Sequence, residues 1–201
     1  RALAPLCGLA SLCLDRVTCT SGRSARSTSR SHKKRRQGQY GFRFRLPFVS
    51  QVRYLITMTK PRVYVETSIP SFYLERRTTP DIVARREWTR QWWDNAPGQY
   101  EPVTSPAVLD ELTGDIPERS SQRLALVRDL PLLSIELAIV EIVQTYIQHK
   151  VMPADPGGDA MHLALASFHK CEFLATRNCR HLANANKFGH IRRVNALLGL
   201  F

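Results

Sequence analysis

Four polar positions in this chain stand where short apolar runs end or begin. They are Glu66 in Val63-Tyr64-Val65-Glu66, Glu111 in Val108-Leu109-Asp110-Glu111, Asp159 in Gly158-Asp159-Ala160-Met161, and Asn178 in Leu174-Ala175-Thr176-Arg177-Asn178. An acid at the carboxyl end of a buried parallel strand lies on the rim where α/β sheets hold their ligands. Acids converging on one rim repel one another, and a hard cation such as Mg²⁺ or Mn²⁺ relieves that repulsion. The chemistry expected of such a cluster is metal-assisted hydrolysis of a phosphodiester.

Each position also has a bland reading. Glu66 follows a run that should be buried, so its charge needs a partner or a metal, unless it is simply a surface acid at a strand end. Thr67 and Ser68 can cap the next turn or orient a metal-bound water. Asp110 neighbours Glu111, and the apolar pair Val108-Leu109 does not decide which acid faces a cleft. Asp159 opens an apolar helical pattern, where an acid is commonly a cap worth ~1 kcal/mol. His162, one turn further on, reads as a packed helix histidine, because the other candidates supply only oxygens and suit Mg²⁺ or Mn²⁺ rather than zinc. Asn178 can ligate through its carbonyl oxygen, bond a metal-bound water, or cap a helix. Arg177, Arg180, His181 and Lys187 cluster nearby and can meet phosphates or form a solvated face.

The elements that must position these groups alternate. Strands are expected over 62–65, 100–104, 130–134 (weak) and 171–176. Helical patterns cover 69–74, 80–95 with a stop at Ala96-Pro97-Gly98, 106–111, 117–129, 135–150, 160–169, 179–186 and 191–198. Pro106 after Ser105 suits a capped helix start. Strands alternating with helices predict a parallel sheet covered on both faces, an α/β/α sandwich.

Composition divides the 201 residues in two. Residues 1–57 hold 12 Lys and Arg against one acid, Asp15, and residues 58–201 hold 17 against 16, so the net charges are +11 and +1. The first segment, with its Ser/Arg-rich middle, has little to bury and repels itself. It reads as a non-native or disordered extension ahead of a start at Met58, with a basic nucleic-acid arm and a transit peptide as alternatives. The apolar stretch 2–14 is broken by Pro5 and Gly8 and is too short to span a bilayer. Residues 58–201 contain only Cys171 and Cys179, and no CxxC pair occurs, so a reduced cytoplasmic compartment is the expectation.

Taken in order, these positions resemble the PIN-domain family, in particular VapC-type toxins of bacterial toxin–antitoxin pairs. The resemblance runs from about Arg62 to Leu198. It rests on Glu66 with Thr67-Ser68, on Glu111, on Asp159-Ala160-Met161-His162-Leu163-Ala164, and on Thr176-Arg177-Asn178 followed by His181-Leu182-Ala183-Asn184. It implies a PIN-like sandwich and a Mg²⁺- or Mn²⁺-dependent endoribonuclease, with Glu66, Glu111, Asp159 and Asn178 at the metal. Thr67, Ser68, Arg177 and His162 would stand close by. It also implies an RNA substrate and a cognate antitoxin, and Trp88, Trp92, Trp93 and Phe72 suggest a homodimer surface. The chain departs from the family at Glu66, where Asp is usual, and at Asn178, which leaves three charges. Relatives also continue into a further strand where this chain ends at Phe201. The alternative expectation is a PIN-like scaffold that binds RNA or a partner with weak catalysis or none.

Overall fold

Three successive residues, Val63, Tyr64 and Val65, are almost wholly buried, and they form the centre of the sheet. The computed structural model describes residues 10–13, 60–114 and 117–200. Among these, β1 (Ala10–Cys13), β2 (Arg62–Val65), β3 (Glu101–Val103) and β4 (Phe173–Thr176) make one sheet in the order β1-β4-β2-β3. β2 pairs in parallel with β3 on one side and with β4 on the other, and β1 adds antiparallel to β4. The weak third strand expected over 130–134 reduces to a parallel bridge between Thr104 and Leu132. Pro131 has no N–H to lend to a ladder, and only its carbonyl is used, by Thr104 N–H at 3.0 Å.

Strand alternation sends side chains to two separate cores. Val63, Val65 and Ala175 pack with Ile69 of α1 (Ser68–Tyr73) and with Trp92 and Trp93 of α2 (Pro80–Gln99). Tyr64, Val103 and Leu174 face the opposite way, into the larger cluster. That cluster is filled from α3 (Pro106–Thr113), α4 (Pro117–Val127), α5 (Leu137–Gln148), α6 (Asp159–Phe168) and α7 (Ala185–Leu197). The described residues are thus mixed α/β, with a small parallel sheet buried on both faces, an arrangement compatible with an α/β/α sandwich.

Several boundaries differ from the sequence pattern. α2 runs on through Pro97 to Gln99, where the Pro-Gly pair was expected to stop it. Its end is held by Tyr100 N–H on the Ala96 carbonyl (2.8 Å) and by Lys60 Nζ on the Pro97 carbonyl (2.6 Å). The two helices expected over 179–186 and 191–198 are instead one turn and one helix, because the Asn184 side chain caps α7 by accepting from Asn186 N–H at 3.1 Å. α5 and α6 end on left-handed lysines, Lys150 (φ 56°) and Lys170 (φ 54°), where glycine is usual. Behind them Val151 N–H bonds the Tyr146 carbonyl and Cys171 N–H bonds the Ala166 carbonyl, and both residues are buried.

Two further features bear on the N-terminal segment and on the aromatic residues. Residues 10–13 belong to the segment read as lying outside the folded part, yet they form β1. The rest of 1–57 lies outside the described residues, as does Phe201. Of the four aromatics taken as an interface, Phe72, Trp92 and Trp93 are partly buried, the two tryptophans against the cores, and Trp88 is 37% exposed. Among the described residues no helix is long and apolar enough to cross a membrane.

Tyr146 joins three helices on the larger-core side. Its hydroxyl bonds Asn195 Oδ1 at 2.6 Å on α7 and Ser167 Oγ at 3.2 Å on α6, and burial pushes its pKa up to about 12. Tyr146→Phe keeps the ring and removes both bonds. Urea unfolding should show a loss of about 1–3 kcal/mol with an unchanged m-value.

Candidate active site

The chain leaves β2 towards β3 on one side and returns to place β4 on the other. The carboxyl ends of β2 and β4 therefore flank the point where strand order reverses, the usual ligand crevice of an open parallel sheet. Glu66 follows β2 there, and Arg177 and Asn178 follow β4. Glu66 is 5% exposed and accepts from Ser68 N–H at 2.8 Å and from the Ser68 hydroxyl. The same Ser68 Oγ accepts from Arg177 N–H at 2.6 Å, so one hydroxyl ties the two strand ends together. Two bonds to a charged group contribute roughly 3–6 kcal/mol. Burying the carboxylate costs several kcal/mol.

Glu111, not Asp110, faces this crevice. One carboxylate oxygen accepts from the Thr67 hydroxyl and the other lies 3.1 Å from His162 Nε2. His162 is 2% exposed, and its Nδ1 lies 2.9 Å from the Tyr64 hydroxyl, which in turn lies 2.7 Å from Ser105 Oγ. A hydrogen-bonded chain thus runs Ser105–Tyr64–His162–Glu111–Thr67, buried from Ser105 to His162 and open at the Glu111–Thr67 end. Tyr64 and Ser105 were not singled out in the sequence. The signal was present in Tyr64, a tyrosine inside a buried strand, whose hydroxyl must find a partner. Ser105 was read as a cap, but it makes no side-chain capping bond.

Asp159 is the first residue of α6, and Gly158 occupies the capping position. The cap reading of Asp159 therefore fails. Asp155 shapes the approach by accepting from Gly157 N–H at 3.1 Å, and a Cβ on Gly158 would sit 2.8 Å from its Oδ2. Asp159 receives Asn178 Nδ2 on both oxygens, at 2.8 and 2.9 Å. Asn178 Oδ1 accepts from the backbone N–H of Arg180 (3.2 Å) and His181 (3.1 Å), which fixes which end of the amide is oxygen. As placed, Asn178 orients Asp159 and caps the 179–183 turn, and it presents no oxygen as a ligand.

The basic cluster disperses. Arg177 is 7% exposed and its guanidinium donates to Thr89 Oγ1 (2.9 Å) and the Arg85 carbonyl (2.8 Å), clamping α2 rather than facing the rim. Lys187 Nζ is held by the Val151 carbonyl at 3.0 Å. Arg180 is exposed, and His181 Nδ1 is buried with no hydrogen-bond partner among the described residues.

Of the three acids Glu111 touches His162, and Glu66 and Asp159 act on it by charge alone. Burial works to lower the pKa of this imidazole, but the Glu111 hydrogen bond and the charges of Glu66, Glu111 and Asp159 more than reverse it, to above the ordinary 6.5. Burial works to raise the Glu111 carboxyl, and His162 and Thr67 together hold it below the ordinary 4.5. Among the described residues no three or more of His, Cys, Asp and Glu stand as a group placed to hold a metal ion. The donor chemistry nonetheless fits a hard divalent cation. Each of Glu66, Glu111 and Asp159 uses two of its roughly four acceptor positions on protein donors, and the rest remain available.

Compared with protein-family models, with curated proteins and with solved structures, the chain gives no match in any of the three.

The Glu111–His162 pair has a pH signature in metal-free protein. Glu111, depressed, stabilises above 4.5 and loses that contribution as pH falls through its folded value. His162, raised, stabilises fully below 6.5 and loses that contribution as pH climbs through its folded value. With EDTA present, the wild-type melting temperature should fall as pH rises from 6.5, and His162→Gln should flatten that fall. An equal fall in the variant would rule the pair out as its source.

Proposed function

We propose that this chain is a metal-dependent endoribonuclease with a PIN-like fold, acting as the toxin of a toxin–antitoxin pair. One observation carries the reading: Glu111 bonds the buried His162 of α6, whose first residue is Asp159, while Glu66 follows β2 at the switch point of a parallel sheet. Glu66, Glu111 and Asp159 would hold a Mg²⁺ or Mn²⁺ ion, which supplies Lewis acidity and neutralises phosphate charge. Ser68 holds Glu66, Thr67 and His162 hold Glu111, and Asn178 holds Asp159, so each ligand has a dedicated orienting partner. Glu111, with 34% of its side chain exposed, is the best placed acid to accept a proton from the attacking water.

A second reading is a PIN-like scaffold that binds RNA or a partner without cleaving. It is favoured by the same partners, since every acid already has two protein donors as the side chains stand. Cleavage of RNA by the full chain with Mn²⁺, abolished by EDTA, decides between the two.

Asp159→Asn should abolish that cleavage, because it removes a hard anionic ligand. Its melting temperature should no longer rise with Mn²⁺. Asn178→Ala should reduce cleavage about 10–100-fold, the usual effect of losing a partner of a metal ligand, and weaken the Mn²⁺-induced thermal shift without abolishing it. Full activity in Asp159→Asn would remove the carboxylate from the site.

A further inference from the structure

Beyond the carboxylate rim, a cleft of about 490 Å³ opens between the end of α1 and α4, walled by Glu75, Arg76, Arg77, Arg119, Gln122 and Arg123. Four of these six side chains are guanidinium groups. The one acid is already taken. Glu75 accepts from Arg77 Nη2 at 2.7 Å and from the backbone N–H of Arg76 (2.9 Å) and Arg77 (3.1 Å). The Arg77 hydrogen bond, with those backbone bonds, holds the Glu75 carboxyl down at about 2.

The charge imbalance is local. Four arginines and one glutamate give the cleft +3, while residues 58–201 as a whole carry +1, so everything outside the cleft sums to −2. A solvated face would separate like charges. Here Arg76 and Arg77 are consecutive, and Arg119 and Arg123 stand one helical turn apart on α4. A concave wall also focuses the field more than a flat one.

The cleft walls are fixed to the same element that builds the rim. α1 starts at Ser68, which holds Glu66, and ends at Tyr73, beside the cleft residue Leu74. Six helical residues span about 9 Å. The far end of α1 is pinned by Arg90 Nε on the Tyr73 carbonyl (3.0 Å), and Arg86 Nη1 reaches the Glu75 carbonyl at 3.2 Å. A chain lying along α1 from the carboxylates would meet the arginines within a few nucleotides.

We propose that the Arg76–Arg77–Arg119–Arg123 cleft binds backbone phosphates of a single-stranded RNA whose scissile bond lies at the Glu66–Glu111–Asp159 rim. The proposal rests on the nuclease reading for its substrate but not for its binding site. Planar guanidinium forks match phosphate oxygens in pairs, and the cleft supplies the concentrated positive charge that the near-neutral remainder of residues 58–201 lacks.

The test uses the full chain and a hexauridine carrying one photoreactive thio-base, with EDTA present so that binding is read apart from cleavage. The 12 basic residues of 1–57 will also attract RNA, so the readout is site-resolved: cross-linked peptides are mapped by mass spectrometry. Wild type should cross-link within 73–77 or 117–123. Arg76→Gln combined with Arg119→Gln, both at exposed positions, should lose those cross-links severalfold with an unchanged melting temperature. The same variant should lower the slope of log K against log salt by about 1.4 for two lost phosphate contacts. Cross-links confined to other peptides, or an unchanged slope, would overturn the cleft, as would displacement of RNA from it by polyglutamate but not by unlabelled RNA. Cleft cross-links without Mn²⁺-dependent cleavage would sink the nuclease reading alone, and cleavage without them would sink the cleft alone.

Discussion

A charged carboxylate at the inner end of a fully buried strand is the constraint on which the rest of the site depends. Glu66 cannot reach water freely from the end of β2, so the chain must bring donors to it. Ser68 does this twice, through its N–H and its hydroxyl, and thereby starts α1 at this point. The same hydroxyl receives Arg177 N–H from beyond β4, which fixes the spacing of the two strand ends. Satisfying one buried charge therefore sets the helix that leaves β2 and the width of the crevice beside it.

The remaining acids are managed in the same way from other directions. Glu111 is braced by Thr67, next door to Glu66, and by His162 from α6, while His162 is anchored through Tyr64 to Ser105. Tyr64 belongs to the larger core by its ring and to the rim by its hydroxyl, so packing and polar order are coupled at one residue. Burial keeps that phenol well above its ordinary pKa, as a neutral link. Asn178 serves Asp159 with its nitrogen and a turn with its oxygen. An aspartate in its place could not donate to Asp159, so the amide suits a site with three charges rather than four.

Arginines divide into two kinds in this fold. Arg86, Arg90 and Arg177 cap backbone carbonyls around α1 and α2 and are spent on structure. Arg76 and Arg119 project into an open cleft and are not so consumed. Residue counts cannot separate these uses, because both are the same side chain in the same stretch of sequence. Only the direction each side chain takes, set by helix packing, distinguishes them.

Period and punctuation made much of this protein legible from its residues alone. The β-branched run ending at Glu66, the Ser105-Pro106 helix start and the apolar face behind Asp159 each declare a local element, because their physics lies within a few residues. Glu66 and Asn178 likewise fall just past the ends of β2 and β4, where the strand pattern places them. What tertiary structure decided are matters of direction and competition. Glu111 and not Asp110 turns inward, because Thr67 and His162 are there to meet it. Asn178 gives its nitrogen rather than its oxygen, because two backbone N–H groups claim the oxygen. Arg177 points into α2, and residues 130–134 yield one bridge instead of a strand, because Pro131 withholds a donor from a partner that is distant in sequence. Each of these turns on which long-range partner reaches a group first, and no window of local sequence contains that partner.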